Sequence, residues 1–440
     1  MKLTERLGLH RPDLRAWVLY DCANSAAVTS IVTAIFPIYF AAVAASGLTG
    51  PEATQLHARV TTAGLLGVAL LAPILGAVAD VRPWKKRLLA AFAALGVLAT
   101  AGLSLVRGGD FALAATLFLF VNVGLNGSFV FYDALLPHVA REDELDRVSS
   151  AGYAIGYLGG GLLLAAQLVL IQKPDWFGLS GGDPTLPTRL AFLSVAVWWA
   201  AFTMPLLRRV KEPPAPGAGS LRGAVGDGLA RLGATLRQLR RYRQALLLLV
   251  AFLLYNDGIG TIIRMATIYG TELGLGRGTL IGAILLVQFI GVPAAFAFAG
   301  FAGRIGPKRA IFGGLVVYVC VAVLGYYTRT EAHFWALAVL VGLVQGGTQA
   351  LSRSLFASFV PRRSSGEFFG FFSVSEKAAG ILGPFLFGLV SAATGSSRGA
   401  VLSVIAFFVA GAILLAFVDV ERGRREAQEE GPSPHLRPEA

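Results

Sequence analysis

Inside otherwise apolar runs the chain places a few side chains able to hold charge or donate hydrogen bonds. Asp21 and Asn24 stand three residues apart, and Asn122 and Asn126 four apart. Gln345, Gln349 and Arg353 step along a third run, and Asp257, Thr261 and Arg264 along a fourth. Such spacings put each set on one face of a helix. Asp133, Glu376 and Lys377 complete a group of four acids (Asp21, Asp133, Asp257, Glu376) and three bases (Arg264, Arg353, Lys377). Carboxylates, amides and guanidinium groups without a nucleophile–base pair suit binding rather than bond-making. The near balance of charge suits a zwitterion or another small polar solute, with a proton as a further passenger on a carboxylate. The cavity set expected from this pattern is Asp21, Asn24, Asn122, Asn126, Asp257, Arg264, Gln345, Gln349, Arg353 and Lys377.

Metal and cofactor chemistry has little to work with. The five histidines (His10, His57, His138, His333, His435) fall at expected helix ends or tails with no ligand spacing. Cys22 and Cys320 lie inside apolar runs, without zinc or redox spacing and with no disulfide framework. No metal site, cofactor or enzymatic activity is expected.

The elements that must carry these residues are membrane helices. The 440 residues are 55% apolar and only 15% charged, against about 25% charged in soluble domains, and mean hydropathy is +0.65. Apolar runs long enough to cross a bilayer are expected near 14–44, 60–80, 88–106, 111–136, 150–171, 188–207, 245–270, 279–303, 309–327, 332–358, 367–393 and 398–418. The short alternating segments of a β-barrel do not occur. The fold class is therefore all-α, with twelve transmembrane helices in two halves of six. In hydrocarbon an arginine facing lipid costs about 2.5–3.5 kcal/mol even on lenient scales, so Arg264 and Arg353 should face a partner or a wet cavity. Structural pairing between helices is the alternative, and Asp133 and Arg264 lie close enough to helix ends to snorkel.

A formal charge of +12 would suit nucleic acid, but its distribution points to a lipid bilayer instead. Most Lys and Arg fall in the N-terminal arm, alternate loops and the tail, including Arg82–Arg87, Arg208–Arg243 and Arg304–Arg309. By the positive-inside rule both termini lie in the cytoplasm, with the protein in the inner membrane. Residues 1–13 are charged and the first apolar run is too long for a signal segment. A monomer is expected.

The chain also repeats itself. Shifted by 224 positions, Gly76 meets Gly300, Pro83 meets Pro307, Pro137 meets Pro361 and Gly156 meets Gly380, as expected of two copies of one backbone. The domains follow: a first bundle over 1–207, a linker over 208–244, a second bundle over 245–420 and a disordered tail over 421–440. Within the linker, Leu221, Val225, Leu229, Leu232, Leu236 and Leu239 recur at helical steps among arginines, which reads as an amphipathic helix on the inner leaflet or as a solvated basic linker. Gly156-x-x-Gly159-Gly160-Gly161 follows no strand and reads as a close-packing stripe rather than a dinucleotide fingerprint.

The loop Gly76-Ala-Val-Ala-Asp80-Val-Arg82-Pro-Trp-Lys85-Lys86-Arg87 resembles the signature loop of the major facilitator superfamily. Pro83 stands where that family has glycine, and the second copy (Gly300, Arg304, Arg309) has an arginine in place of Asp80. The resemblance implies a gating loop at Gly76, Asp80, Arg82, Lys86, Arg87, Gly300, Arg304 and Arg309, with the carboxylate pairing across to a neighbouring span. Trp17-Val-Leu-Tyr20-Asp21-Cys-Ala-Asn24-Ser25-Ala, Phe131-Tyr132-Asp133-Ala-Leu-Leu-Pro137 and Ser352-Arg353-Ser354-Leu-Phe-Ala are similar to the branch that includes the autophagy-related vacuolar amino-acid effluxer and bacterial permeases. What this implies is a secondary transporter working by alternating access, with amino acids as candidate solutes and Asp21 or Asp257 as candidate proton carriers. A non-transporting sensor with the same fold is the alternative. No ring-forming filter segment speaks for a channel.

Overall fold

The computed structural model describes residues 3–179, 181–213, 242–380, 382–394 and 397–428, and among them there are helices and no strands. Twelve helices are long and apolar enough to cross a membrane: Pro12–Ala44, Gln55–Val81, Lys85–Leu103, Phe111–Val139, Leu145–Gln172, Leu186–Arg209, Arg243–Ala266, Gly278–Ile305, Pro307–Tyr327, Glu331–Ser358, Arg362–Ser391 and Arg398–Ala416. They are called the first to twelfth spans below. Each matches an expected run, with ends shifted by a few residues where polar residues extend the helix beyond the apolar core. The turns are tight: Pro307 opens the ninth span directly after Gly306, whose φ of +89° a side chain would resist.

Two spans are less regular than periodicity implies. The first changes from α to π winding over Ala27–Ala34 and again over Phe40–Ala44. The eleventh is built from two helices, Ser365–Ala378 and Leu382–Thr394, where one continuous run was expected. Its Gly380, Gly383 and Pro384 lie at that junction.

The two halves meet where the second and fourth spans pack on the eleventh and the fifth packs on the eighth and tenth. Glycines set the closeness. On the fifth span a Cβ at Gly156 would meet the Ser25 hydroxyl, one at Gly159 would strike the Cys22 sulfur, and one at Gly161 would press on Gln288 of the eighth span. The glycine stripe is thus a packing face, as the sequence suggested.

The end of the bundle carrying the 82–87, 141–147, 304–309 and 362–363 loops is called the basic-loop end. There the tail departs from the expectation of disorder. Val420–Gln428 forms a helix. Gly423 packs against the Phe359 ring, and the backbone N–H of Gln244 donates to Glu426 at 3.1 Å. Lys308 anchors the approach to this helix by donating to the carbonyls of Ala416 and Val418 at 2.8 and 2.6 Å. These partners are remote in sequence, so the polar composition of the segment gave no hint of them. The expected amphipathic helix over 221–239 lies outside the described residues, as does the tail beyond Gln428.

Candidate functional site

Arg353 on the tenth span is the centre of the site. Its guanidinium is ion-paired with Asp21 of the first span and Asp133 of the fourth, each at 3.1 Å. It also donates to the Ser149 hydroxyl at 2.9 Å and the Ser149 carbonyl at 3.0 Å. Aromatic rings close the remaining sides. The guanidinium carbon lies 4.9 Å from the Trp17 ring centroid, 5.4 Å from Tyr132 and 4.6 Å from Tyr153. All three charged side chains are nearly inaccessible, Arg353 at 2%, Asp21 at 5% and Asp133 at 7%. Charges so buried persist only when paired and hydrogen-bonded.

The walls of this socket are themselves braced. Trp17 stacks on Tyr132 with centroids 4.3 Å apart and donates its indole N–H to the Tyr132 carbonyl at 3.0 Å. The Tyr132 hydroxyl donates to Asp21 at 2.7 Å. Gly152 leaves the space that the pair occupies: a Cβ there would collide with the Asp21 carboxylate and lie 3.0 Å from Arg353. Trp17, Asp21, Tyr132, Asp133, Ser149, Gly152 and Tyr153 all belong to the first half, whereas Arg353 belongs to the second. The guanidinium is therefore a knob of one half seated in a socket of the other.

Nearer the basic-loop end, further bonds join the halves. Asp80 is buried, pairs with Lys85 at 2.5 Å, and accepts from the backbone N–H groups of Gly366 and Glu367 at 3.0 and 2.8 Å. The carboxylate thereby satisfies free amides at the start of the eleventh span, where the helix dipole also favours negative charge. Gly76 lies so close to the Gly366 backbone that no Cβ would fit. Ser354 donates to Asp146 at 2.5 Å, Ser149 to the Ala350 carbonyl at 2.8 Å, and His138 meets the Ser365 hydroxyl at 3.0 Å. Further from that end, Gln288 donates to Thr29 at 2.8 Å.

The expected cavity residues divide into groups. Asp21 and Arg353 come together in a buried ion pair, and Asp133, left open between structural and functional readings, joins them. Lys377 is half-buried and pairs with Glu376 at 2.7 Å. Asp257 and Arg264 form a second cluster at the junction of the eleventh span. There Asp257 accepts from the Gly383 N–H at 2.8 Å, and Arg264 donates to the Ala379 carbonyl at 3.3 Å, lying over Gly260 and Gly380. Gln349 donates to Asn256 at 3.4 Å, and Gln345 faces Tyr157 of the other half.

Three asparagines stand apart from the Arg353 cluster. Asn122 and Asn126 donate to carbonyls of their own helix, Phe118 and Asn122, at 2.9 and 2.8 Å, and Asn122 packs against Gly64 of the second span. Asn24 is fully buried near Tyr20 in the first half. In the gating loop, Arg82 lies over Trp84 at 5.1 Å, the Lys86 N–H donates to Glu212 at 2.9 Å, and Arg87 lines a groove of about 450 Å³ with Leu207 and Glu212. The ion-pair partner of Asp80 is Lys85 of its own loop. Gly300, Arg304 and Arg309 are exposed, and a Cβ at Gly300 would meet nothing. Among the described residues, only the first copy of the loop forms a clasp.

The family profile described as "Vacuole effluxer Atg22 like" matches residues 60–428. The chain belongs to this Atg22-like family. It is 35% identical over 429 residues to the MFS-type transporter YxiO of Bacillus subtilis (strain 168), covering 95% of this chain and 97% of that one. It is 29% identical over 313 residues to autophagy-related protein 22 of Yarrowia lipolytica, covering 64% of this chain and 52% of the fungal one, so the match spans about half of that relative. In fold this Atg22-like chain resembles the human organic anion transporter MFSD10 (TM-score 0.68, 15% identity, 94% and 100% of the two chains). It also resembles the proton:xylose symporter XylE (TM-score 0.69, 13% identity, 94% and 96%). It is an integral membrane protein of the major facilitator fold and a transporter by family, not an enzyme.

Proposed function

We propose that this protein is a secondary transporter that carries a small polar solute, with amino acids as candidates, through alternating access of its two halves, and that protons are its coupling ion. The observation that carries the reading is the Arg353 pairing with Asp21 and Asp133 across the halves. A buried ion pair is a poor source of stability compared with apolar packing, but it suits a contact that must form and break. With Glu376 and Lys377 nearby, the central charges are Asp21, Asp133 and Glu376 against Arg353 and Lys377, one negative charge in excess. A proton shared by the carboxylates would cancel that excess, and its release would restore the grip on Arg353.

The Asp80 clasp, the Asp146–Ser354 bond and the Arg353 knob together hold the basic-loop end closed, and moving a solute to that side requires all three to open. The distribution of Lys and Arg supports a cytoplasmic position for this end, with both termini there and the protein in the inner membrane. A single chain supplies every part of the machinery described, in keeping with a monomer.

Counterflow in proteoliposomes against labelled amino acids, sugars and organic ions, with and without a pH gradient, tests the reading. Wild type should exchange at least one solute and accumulate it when a pH gradient is imposed. Asp21→Asn should lose pH-driven accumulation. Equal accumulation by the variant would exclude Asp21 as a coupling group, and absence of any flux would remove the transporter reading.

A further inference from the structure

The socket around Arg353 contains all the chemistry of a cation site. Two carboxylates approach one guanidinium at 3.1 Å, and three aromatic rings lie within 5.4 Å of its central carbon. Ring faces attract positive charge through their quadrupole, and cages of several rings recognise quaternary ammonium and methylated ammonium groups. None of this is particular to arginine. The walls come from the first, fourth and fifth spans, so they form a unit within the first half. The cation enters on the tenth span, which belongs to the other half.

We propose that the socket of Trp17, Asp21, Tyr132, Asp133 and Tyr153 is the binding site for the positively charged group of the solute, and that Arg353 is its tethered occupant in the closed conformer. This rests on the alternating-access reading above. When the halves part at the basic-loop end, the tenth span withdraws the guanidinium and leaves two carboxylates facing three rings. Uncompensated buried carboxylates are costly, and an incoming ammonium or guanidinium compensates them with the same contacts that Arg353 makes now. The solute class is therefore a small molecule with a primary ammonium, quaternary ammonium or guanidinium group, and anions are excluded. Solute and Arg353 compete for one socket, so a bound cation keeps the closed conformer from reforming until it leaves.

The test uses the purified full-length chain and methylguanidinium, with urea as a neutral probe of similar shape. In Arg353→Ala the socket is vacant, and calorimetry should show methylguanidinium binding about tenfold or more tighter than urea, a factor worth roughly 1.4 kcal/mol. Adding Asp21→Asn and Asp133→Asn together should abolish that preference. No preference in a folded Arg353→Ala protein, judged by its circular dichroism melt, overturns the proposal. So does a preference that survives both carboxylate substitutions, since the cation then binds elsewhere.

If Arg353→Ala does not fold, spin labels at Asp143→Cys and Arg362→Cys on a Cys22→Ala, Cys320→Ala background give a second readout. Methylguanidinium should lengthen the distance between these two loops at the basic-loop end and urea should not. No change with methylguanidinium overturns the proposal. Neither readout needs flux. Cation binding without transport of any solute would sink the transporter reading and leave the socket. Transport confined to neutral or anionic solutes, without cation binding, would do the reverse.

Discussion

Gly152 shows how little room the central charges have. Its missing side chain is the space filled by the Asp21 carboxylate and the edge of Arg353, so Gly152→Ala should push the pair apart without removing either partner. Overpacking of this kind costs about 1–3 kcal/mol. Counterflow should fall at least several-fold, with a lower melting temperature in detergent, while Gly159→Ala, against the Cys22 sulfur, should melt earlier but leave the coupling to a pH gradient intact. Asp21 and Arg353 were legible in the sequence because charge in hydrocarbon is expensive and needs a reason. Tyr153, Ser149 and Gly152 were not, since such residues are common in membrane helices and their role depends on what faces them. That Lys85 would be the lysine paired with Asp80 could not be read either: adjacent lysines point to different sides of a helix start, and only the fold selects one.

The eleventh span is where elements, rather than single residues, carry the argument. Its first helix begins on the Asp80 carboxylate and its second begins beside Asp257, so a carboxylate from a neighbouring span meets the amides at each start. Hydrogen bonds to a charged group are worth about 1.5–3 kcal/mol. Asp80→Asn should therefore shift the population towards an open basic-loop end, seen as faster alkylation of a cysteine placed at Ser365. Gly383 permits the second approach, for a Cβ there would strike the Thr261 hydroxyl and press on Asp257. Gly383→Ala should lower the melting temperature and slow transport, and pairing it with Thr261→Ser should not restore either, because the hydroxyl remains. The interruption in this span escaped sequence reading because apolar periodicity continues through it, though Gly380, Gly383 and Pro384 marked the place. The spacing of Asn122 and Asn126 suggested a common lining, and each donates one amide N–H to a carbonyl of its own helix.

At the scale of the molecule, the twelve-span plan and the duplication were legible because bilayer thickness and backbone punctuation impose them on every copy. The contacts between the halves were not, because they join residues more than 100 positions apart and only one copy of each motif makes them. Asp146 and Ser354 touch across that divide at 2.5 Å. Cysteines at both positions on a cysteine-free background should form a disulfide under mild oxidant, stop counterflow and release it on reduction. Continued flux in the fully oxidised protein would show that this seam need not open. The π winding of Ala27–Ala34 has a mechanical consequence. In a π-helix each bond reaches five residues back, as Ile35 N–H does to the Ser30 carbonyl at 2.8 Å, instead of four. Rewinding this stretch to α geometry would turn the segment before it, with Asp21, about the helix axis while Thr29 and Ser30 stay bonded to Gln288 and Gln167. The first span is thereby geared like a screw, able to convert a small axial displacement at one end into rotation of a carboxylate at the other.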